Sequence, residues 1–344
     1  MHFYYGLVIA AFVVTAVGMV PFINLLYKWK FTRKSETDEL RKNATESFYK
    51  IREIHAVKVG VPTGGGIWLT LVVASMFSIV FGVIGPAKGF TGGYNLMGEL
   101  IVIFSTFVGF GFLGFYDDLI KIFGYKKTGF FGLRMRHKLI LQTAAAVAIS
   151  LGLFMWLGID FVNLPGIARI HLGWGYVGLA AFLIVGFANA FDITDGLDGL
   201  SCGLLFICLL AFWVVAARNL DHILMIFISL WIGSLLAYLY FNVYPARIML
   251  GNMGGLAFGA TLAVIGLLSG KMVAMMIISG IFLAEGASSL LQLFSKRFMK
   301  KRIFPIAPLH HWLQLLGWEE PKIVMRAWMA GLVLAIFGVW LAVL

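Results

Sequence analysis

Two acidic segments of the sequence have residue types and spacings that suit phosphate chemistry. The first, NAFDITDGLDGL, contains Asp192, Asp195 and Asp198 downstream of Asn189. A helix cap needs one aspartate, and three carboxylates so close together repel one another unless a cation or a hydrogen-bond donor partners them. We therefore interpret this segment as functional rather than as a simple cap and turn.

The second acidic segment, GFYDDLIK, places Asp117 and Asp118 side by side ahead of Lys121. At the end of a helix these negative charges oppose the helix dipole, which disfavours the interpretation as a solvated helix end. Carboxylates are hard oxygen ligands suited to Mg²⁺, which typically takes one or two of them and completes its shell with water and substrate phosphate. Together the two segments predict a magnesium site for a phosphate-bearing substrate.

Three other segments could contact the phosphate groups. PARIMLGNMGGLAFG contains Asn252 in a glycine-rich turn, and backbone N–H groups at a helix start can bind phosphate, although glycines also serve helix packing in membranes. APLHHWLQLLGW holds His310 and His311, and KVGVPTGGG holds Lys58 and Thr63. A histidine pair is more often structural, but beside acids of this kind it could hold a pyrophosphate. Each signal is weak alone and is strengthened by the acidic segments.

The elements that carry these segments are predicted to lie in a membrane. Of the 344 residues, 61% are hydrophobic and 12% charged, with a mean hydropathy of +0.93, so the chain lacks the polar surface of a soluble protein. A transmembrane β-barrel would show alternating segments of roughly ten residues, whereas these apolar runs are continuous and about twenty residues long. The predicted fold class is an all-α integral membrane protein with about ten transmembrane helices.

Apolar runs separated by polar breaks place the individual spans. They are predicted at residues 3–27, 63–84, 98–116, 138–158, 174–191, 199–217, 222–244, 254–270, 271–295 and 322–343. No internal repeat or linker divides the chain, so residues 1–344 are predicted to form a single domain.

The basic residues predict how the chain is oriented. Basic loops at 28–62, 117–137 and 296–321, and motif loops at 192–198 and 245–253, are separated by even numbers of crossings and so share one face. Lysine and arginine concentrate there, so the positive-inside rule makes that face cytoplasmic and both termini extracytoplasmic. The net charge of +11 then reflects membrane topology, and no nucleic-acid partner is expected.

Other ionisable residues in or near the spans have simpler interpretations. Lys121 and Lys138 fit a role in topology or in contact with anionic lipid. Glu285 is a carboxyl within a predicted span and so a candidate for function or helix packing. Cys202 and Cys208 share one apolar run without metal or disulfide spacing, and we assign them no chemical role.

The motifs, taken in their order along the chain, resemble those of a known superfamily. FYDDLIK, NAFDITDGLDGL, PAR followed by LGNMGG, and APLHHWLQLLGW are similar to the motifs of the polyprenyl-phosphate N-acetylhexosamine 1-phosphate transferases. The histidine loop ending GWEEPKIVMRAW favours the phospho-N-acetylmuramoyl-pentapeptide transferases within it. The resemblance spans nearly the whole chain and implies ten transmembrane helices in the bacterial cytoplasmic membrane, with a Mg²⁺ site on the cytoplasmic face.

This resemblance implies a reaction and a set of site residues. The reaction transfers phospho-MurNAc-pentapeptide from UDP-MurNAc-pentapeptide to undecaprenyl phosphate, forming lipid I for peptidoglycan synthesis and releasing UMP. The matching catalytic positions are Asp117, which is assigned to the lipid phosphate, Asp118, Asp195, His310 and His311. The matching substrate-binding positions are Lys58, Thr63, Lys121, Lys138, Asn189, Asn242 and Gln292. A homodimer is a further expectation from the family.

Two departures from the family pattern affect the metal site that the resemblance implies. Asn252 stands where the family has an aspartate that binds Mg²⁺, and Trp312 stands where a third successive histidine is usual. An amide oxygen can coordinate Mg²⁺ but lacks the formal charge of a carboxylate. Asp192 replaces a usual asparagine close to Asp195, and we hypothesise that it returns the missing charge. The expected metal ligands are therefore Asp195, Asn252 and Asp192.

Three other functions fit part of this pattern. A related enzyme could use another UDP-N-acetylhexosamine, because the acidic motifs are shared across the superfamily. A transporter would place charged residues near the membrane midplane, whereas the acids here cluster at one interface. A catalytically inactive homologue could retain the motifs to bind lipid or nucleotide, and Asn252 is the main reason to consider it. The choice between direct displacement and a covalent aspartyl intermediate is open.

Overall fold

The computed structural model describes most of the chain. The described residues are 1–33, 46–84, 94–124 and 135–344, without the side chains of Glu46 and Phe48. Parts of the basic loops predicted at 28–62 and 117–137 therefore lie outside the described residues.

Helices make up nearly all of the secondary structure in this part of the chain. In chain order they are α1 His2–Lys28, α2 Glu46–His55, α3 Gly65–Ile79, α4 Leu96–Leu119, α5 Met135–Met155, α6 Gly175–Thr194, α7 Leu200–Arg218, α8 His222–Asn242, α9 Gly251–Leu268, α10 Met272–Ile278, α11 Gly280–Phe294, α12 Leu309–Leu315 and α13 Glu320–Val343. Two short strands, β1 Phe161–Leu164 and β2 Ala168–His171, pair antiparallel between α5 and α6.

Nine helices of the described residues are long and apolar enough to cross a membrane, namely α1, α3 to α9 and α13. A tenth span is present if α10 and α11, bent by 79°, together form one crossing. The chain is thus a helical integral membrane protein, as its composition predicts. The sidedness of its termini stays a prediction from the positive-inside rule.

The structure corrects the prediction of one continuous helix over residues 271–295. The helix breaks at Ser279, directly before Gly280, and the two halves are bent by 79°. Adjacent serine and glycine residues are a recognised cause of sharp kinks because neither stabilises the helix strongly. Hydropathy does not detect such a break, since the two halves together pass as one apolar span.

The β1–β2 hairpin is a second feature that the apolar runs did not predict. Its register pairs Phe161 with His171 and Leu164 with Ala168, and the Arg169 guanidinium lies 4.3 Å from the centre of the Phe161 ring. The hairpin connects the ends of α5 and α6 opposite the motif loop that follows α6.

Close backbone contact between α4 and α9 positions the acidic segments. A Cβ atom on Gly114 of α4 would lie only 2.1 Å from the carbonyl oxygen of Asn252. Only glycine permits this approach, which brings the last turn of α4 against the first turn of α9. Asp117 and Asp118, one turn after Gly114, consequently reach the start of α9.

Candidate active site

Asp118 caps the start of α9. Its two carboxylate oxygens accept hydrogen bonds from the backbone N–H groups of Asn252 at 3.1 Å and Met253 at 3.0 Å. The side chain is only 4% exposed, and the helix dipole favours a negative charge at this end of α9. Asp118 therefore holds α9 against α4. This is a structural role, whereas the resemblance to the family implies a catalytic one.

Lys138 joins the two acidic segments. Its Nζ lies 2.9 Å from an oxygen of Asp192 and 3.4 Å from an oxygen of Asp117. The same Asp117 oxygen lies 3.4 Å from Lys121 Nζ and accepts a hydrogen bond from the side-chain amide of Asn252. Two lysines and one amide thus offset the repulsion between the carboxylates.

Asp195 lies in the motif loop between α6 and α7 and lines the cavity. It follows the last residue of α6 and accepts a hydrogen bond of 2.5 Å from the Ser201 hydroxyl. Burial raises the pKa of Asp195 to about 7, the nearby Asp192 adds to this shift, and the Ser201 hydroxyl opposes it. A bound cation would favour the ionised form of this carboxyl.

Lys58 ties the motif loop to the start of α13. Its Nζ lies 2.7 Å from an oxygen of Asp198 and 2.5 Å from an oxygen of Glu320. The backbone N–H of Asp198 donates to the same Glu320 oxygen, and the second Asp198 oxygen accepts from the backbone N–H of Ala246. Lys58, predicted to bind substrate, is buried between two carboxylates, so in this arrangement it holds the loop that carries Asp195.

Glu285 orients His310. The backbone N–H and the Nδ1 atom of His310 each lie 3.1 Å from a Glu285 carboxylate oxygen. The other ring nitrogen, Nε2, is buried, has no hydrogen-bond partner within the described residues, and points at Gly196 in the motif loop. His310 therefore presents a preoriented nitrogen beside Asp195, and Glu285 has a defined task.

His311 belongs to a neutral cluster with His55 and Gln314. The Gln314 side-chain oxygen accepts from His311 Nδ1 at 2.9 Å and from His55 Nε2 at 3.2 Å. Burial lowers the pKa of His311 to about 3 and that of His55 to about 4, with nearby cationic groups adding to both shifts. At neutral pH these rings act as hydrogen-bonding groups and not as cations.

Three predicted substrate-binding residues make internal hydrogen bonds. Gln292 donates to the carbonyl of Phe304 at 2.7 Å and accepts from the N–H groups of Ile303 and Phe304. Asn189 donates to Gln142, and Asn242 donates to the carbonyl of Ile248 at 3.0 Å. Of the three, Asn242 also lines the cavity of the site.

A cavity of about 300 Å³ lies where the predicted motifs meet. Seven of the predicted site residues line it: Thr63, Asp118, Lys121, Asp192, Asp195, Asn242 and Asn252. The other predicted residues, Asp117, Lys58, Lys138, Asn189, Gln292, His310 and His311, do not line it, although several contact those that do. The predicted segments thus meet in the structure, but their sequence does not separate the cavity-lining residues from those that support them.

Three supporting residues were missed although they lie in or beside the motifs. Glu320, the partner of Lys58, is part of the GWEEPK segment, and Gln314 follows His311 by three residues on the same helix face. Ser201, the donor to Asp195, starts the helix after the motif loop. Of these three residues, only Gln314 could have been recognised from the sequence, because its spacing from His311 places both side chains on one helix face.

The donors around the cavity fit Mg²⁺. In the part of the chain that the structure describes, no three His, Cys, Asp or Glu side chains converge as a metal cage. Mg²⁺ does not need one, because it binds through one or two carboxylates plus water and substrate phosphate. Asp192 and Asp195 face the cavity, and the buried side-chain oxygen of Asn242 lacks a hydrogen-bond partner among the described atoms. These hard oxygen atoms have lone pairs available to coordinate a cation.

Comparison with known proteins identifies the family. Residues 100–270 match the family model described as glycosyl transferase family 4. The phospho-N-acetylmuramoyl-pentapeptide-transferase of Bacillus velezensis is 35% identical over 84% of this chain and 86% of its own length. The relative from Bacillus pumilus is 33% identical over 98% of this chain and 97% of its own length, and that of Bacillus subtilis is 34% identical over 84% and 86%. The chain therefore belongs to the phospho-N-acetylmuramoyl-pentapeptide transferase family, and the resemblance seen in its motifs is confirmed.

Proposed function

We propose that the protein transfers phospho-MurNAc-pentapeptide from UDP-MurNAc-pentapeptide to undecaprenyl phosphate, forming lipid I and releasing UMP. The observation that carries this proposal is a cavity at the end of the membrane helices that is lined by carboxylates and Lys121, with Lys138 bound to one of those carboxylates and the preoriented His310 nitrogen directed at Gly196 of the lining. Cations beside oxygen donors suit a reaction in which charge moves between phosphate groups. The printed names of the relatives supply the substrate class.

The reaction breaks one phosphoanhydride bond and forms another. A phosphate oxygen of the lipid attacks the sugar-proximal phosphorus, and the bond from that phosphorus to UMP breaks. Lys121 and Lys138 lie beside the carboxylates, where their charge is available to the phosphates. His310 Nε2, on the other side of the motif loop, is placed to contact a substrate oxygen. A bound Mg²⁺ supplies Lewis-acid stabilisation of the pyrophosphate.

The proposed Mg²⁺ ligands are Asp195, Asn252 and Asp192. Asp192 and Asn252 both line the cavity, and the position of a Cβ atom on Gly255 would be 2.9 Å from Asp192 Oδ1. Asp192 thus packs against Gly255, which follows Asn252 by three residues on the same helix. This placement supports the hypothesis that the carboxylate at Asp192 compensates for the amide at Asn252.

Exchanging the two residues tests the compensation. Asp192→Asn should weaken Mn²⁺ binding measured by electron paramagnetic resonance, because it removes a formal charge from the site. Adding Asn252→Asp to that variant should restore the affinity, since the double variant has the same total charge as the natural chain. Equal Mn²⁺ affinity of Asp192→Asn and the natural chain would refute the compensation without bearing on the transferase activity.

The orientation that we propose places the cavity at the cytoplasmic face of the bacterial inner membrane. Basic segments of the described chain, such as the π-helical turn Ser295–Met299 that carries Lys296 and Arg297, flank the same end of the helices as the cavity residues, which is the side that the positive-inside rule assigns to the cytoplasm. A soluble UDP-linked substrate would reach the cavity from that side. The homodimer stays a prediction from the family.

UMP release by the purified protein tests the proposed function. Undecaprenyl phosphate is supplied with UDP-MurNAc-pentapeptide, UDP-N-acetylglucosamine or UDP-N-acetylgalactosamine, each with and without Mg²⁺. We expect Mg²⁺-dependent release with the first donor alone. Release only with another UDP-sugar would identify a related transferase. Binding of the nucleotide without release from any donor would indicate an inactive homologue, for which Asn252 is the motivating residue.

A further inference from the structure

Two buried carboxyl groups meet at the end of the helices remote from the cavity. Glu99 lies in the first turn of α4 and is 0% exposed, and Asp221 precedes α8 and is 4% exposed. The two side chains lie within hydrogen-bonding reach of each other. Asp117 lies on α4 eighteen residues after Glu99, so the pair is roughly 27 Å along the helix from the acidic segments.

Capping accounts for Asp221 but not for Glu99. Asp221 accepts a hydrogen bond from the backbone N–H of Leu224 at 3.0 Å and so caps α8. The cap of α4 is Asn95, whose side-chain oxygen accepts from the N–H groups of Met97 and Gly98. Glu99 is thus buried for a reason other than satisfying the start of its own helix.

Neither carboxyl forms a salt bridge with a lysine or arginine of the described residues, and the base that acts on the pair is His222, beside Asp221. Neither carboxylate oxygen of Glu99 accepts a hydrogen bond from an N–H or O–H donor in this part of the chain. Three ionisable groups act directly on the pair: Tyr94 on both carboxyls, and Tyr4 and His222 on Asp221. Arg169 and Tyr176 act in turn on Tyr94. Tyr4 and His222 hydrogen-bond to each other, so neither is directed solely at the pair.

Two fully ionised carboxylates cannot stay in contact in a site that excludes water. The repulsion between them is strong in a low dielectric, and adjacent buried carboxyls therefore retain one proton between them. With one proton, the protonated carboxyl donates to the other and both groups are satisfied. Burial also raises the pKa of Asp221, while the Leu224 N–H opposes the shift.

We propose that Glu99 and Asp221 form a proton-binding site in which a single shared proton links the start of α4 to the start of α8. The site is separate from the proposed active site and does not depend on the proposed function. In the unfolded chain both carboxyls are ionised above mildly acidic pH. At such pH the folded protein therefore holds one proton more than the unfolded chain. Its stability then falls as the pH rises, until the folded protein also releases the proton.

The thermal unfolding midpoint as a function of pH tests the proposal. We compare the natural chain with Glu99→Gln, which mimics a protonated carboxyl, between about pH 6 and about pH 9. The midpoint of the natural chain should fall with pH, while that of Glu99→Gln should fall less, so that the variant is the more stable protein at the alkaline end. The matched control is Asp160→Asn, which removes a half-buried acid that precedes β1 and contacts His171, and it should follow the natural chain.

A second variant and a spectroscopic signal distinguish proton sharing from a purely structural effect of the substitution. Asp221→Asn retains a good helix cap but cannot share an acid proton, so it should flatten the pH dependence as Glu99→Gln does. The infrared difference spectrum between the natural chain and each variant should show, at neutral pH, a protonated carboxyl stretch that only the natural chain has. Parallel pH profiles for all proteins, or no such band, would overturn the proposal. Restoration of the alkaline midpoint by Na⁺, Mg²⁺ or Ca²⁺ would overturn it in favour of a metal-cation site.

Discussion

Substitution of Gly114 by alanine tests how the fold builds the acidic site. The new Cβ atom would lie 2.1 Å from the carbonyl oxygen and 2.7 Å from the next Cα along α9. Both are backbone atoms, so no side chain can move aside. Ordinary contact begins at 3.4 Å, so the α4 and α9 backbones must separate by the difference, roughly 1.3 Å.

Separating α4 from α9 lowers the stability of the folded protein in two ways. Overpacking of this kind costs about 1 to 3 kcal/mol. The hydrogen bonds from the N–H groups of Asn252 and Met253 to Asp118, now 3.1 and 3.0 Å long, would exceed bonding distance. Leaving buried groups without partners costs about 1 to 3 kcal/mol more. We therefore expect Gly114→Ala to destabilise the protein by about 2 to 6 kcal/mol.

The assay is thermal unfolding followed by tryptophan fluorescence in nanodiscs at one fixed scan rate, since membrane proteins often unfold irreversibly. The midpoint of Gly114→Ala should fall by roughly 5 °C or more. The matched control is Gly109→Ala on the same helix, where no atom lies within 4 Å of the added Cβ, so its midpoint should be unchanged or slightly raised. Equal midpoints for the two variants would refute the argument that α4 and α9 meet backbone to backbone.

Further predictions concern the supports of the site. Lys58→Met should destabilise the protein by about 3 to 5 kcal/mol in the same assay, because it leaves two buried carboxylates without their cation. Gly255→Ala should change stability little but displace the flexible Asp192 side chain, lowering kcat by up to about 100-fold in the UMP assay. The low pKa of His311, about 3 against 6.5 for a free histidine, means that the unfolded chain takes up a proton below about pH 6.5 and stability falls as the pH decreases. His311→Gln should make that acid-side decline shallower, whereas His171→Gln, at an exposed ring, should leave it unchanged.

Hydropathy predicted most of the helices because lipid-facing segments must be both long and apolar. The ends were less predictable, since polar residues can continue a helix once they have partners. The predicted third span stopped at residue 116, yet α4 extends to Leu119 because Asp117 and Asp118 find lysines and backbone N–H groups. The 79° break at Ser279 leaves no mark in the hydropathy of the segment.

The convergence of the motif loops was predictable from the parity of crossings, but the pairings within the site were not. Lys58 contacts Asp198 and Glu320, which are 140 and 262 residues away along the chain, and only the packing of α13 brings them together. A lysine in a basic loop gives no sign of whether it faces substrate or a buried carboxylate. For this reason the sequence identified chemically capable residues but not which of them support the others.

Lipid I formation by the purified protein is the decisive test of the proposed reaction and of the cavity as its site. Undecaprenyl phosphate, UDP-MurNAc-pentapeptide and Mg²⁺ are incubated with the natural chain and with Asp195→Asn, and the lipid product is measured by mass spectrometry. The account predicts lipid I from the natural chain and a large loss in Asp195→Asn, at unchanged thermal stability. Product formation at the same rate by both proteins would contradict the assignment of this cavity as the active site, and no product from the natural chain would contradict the proposed reaction.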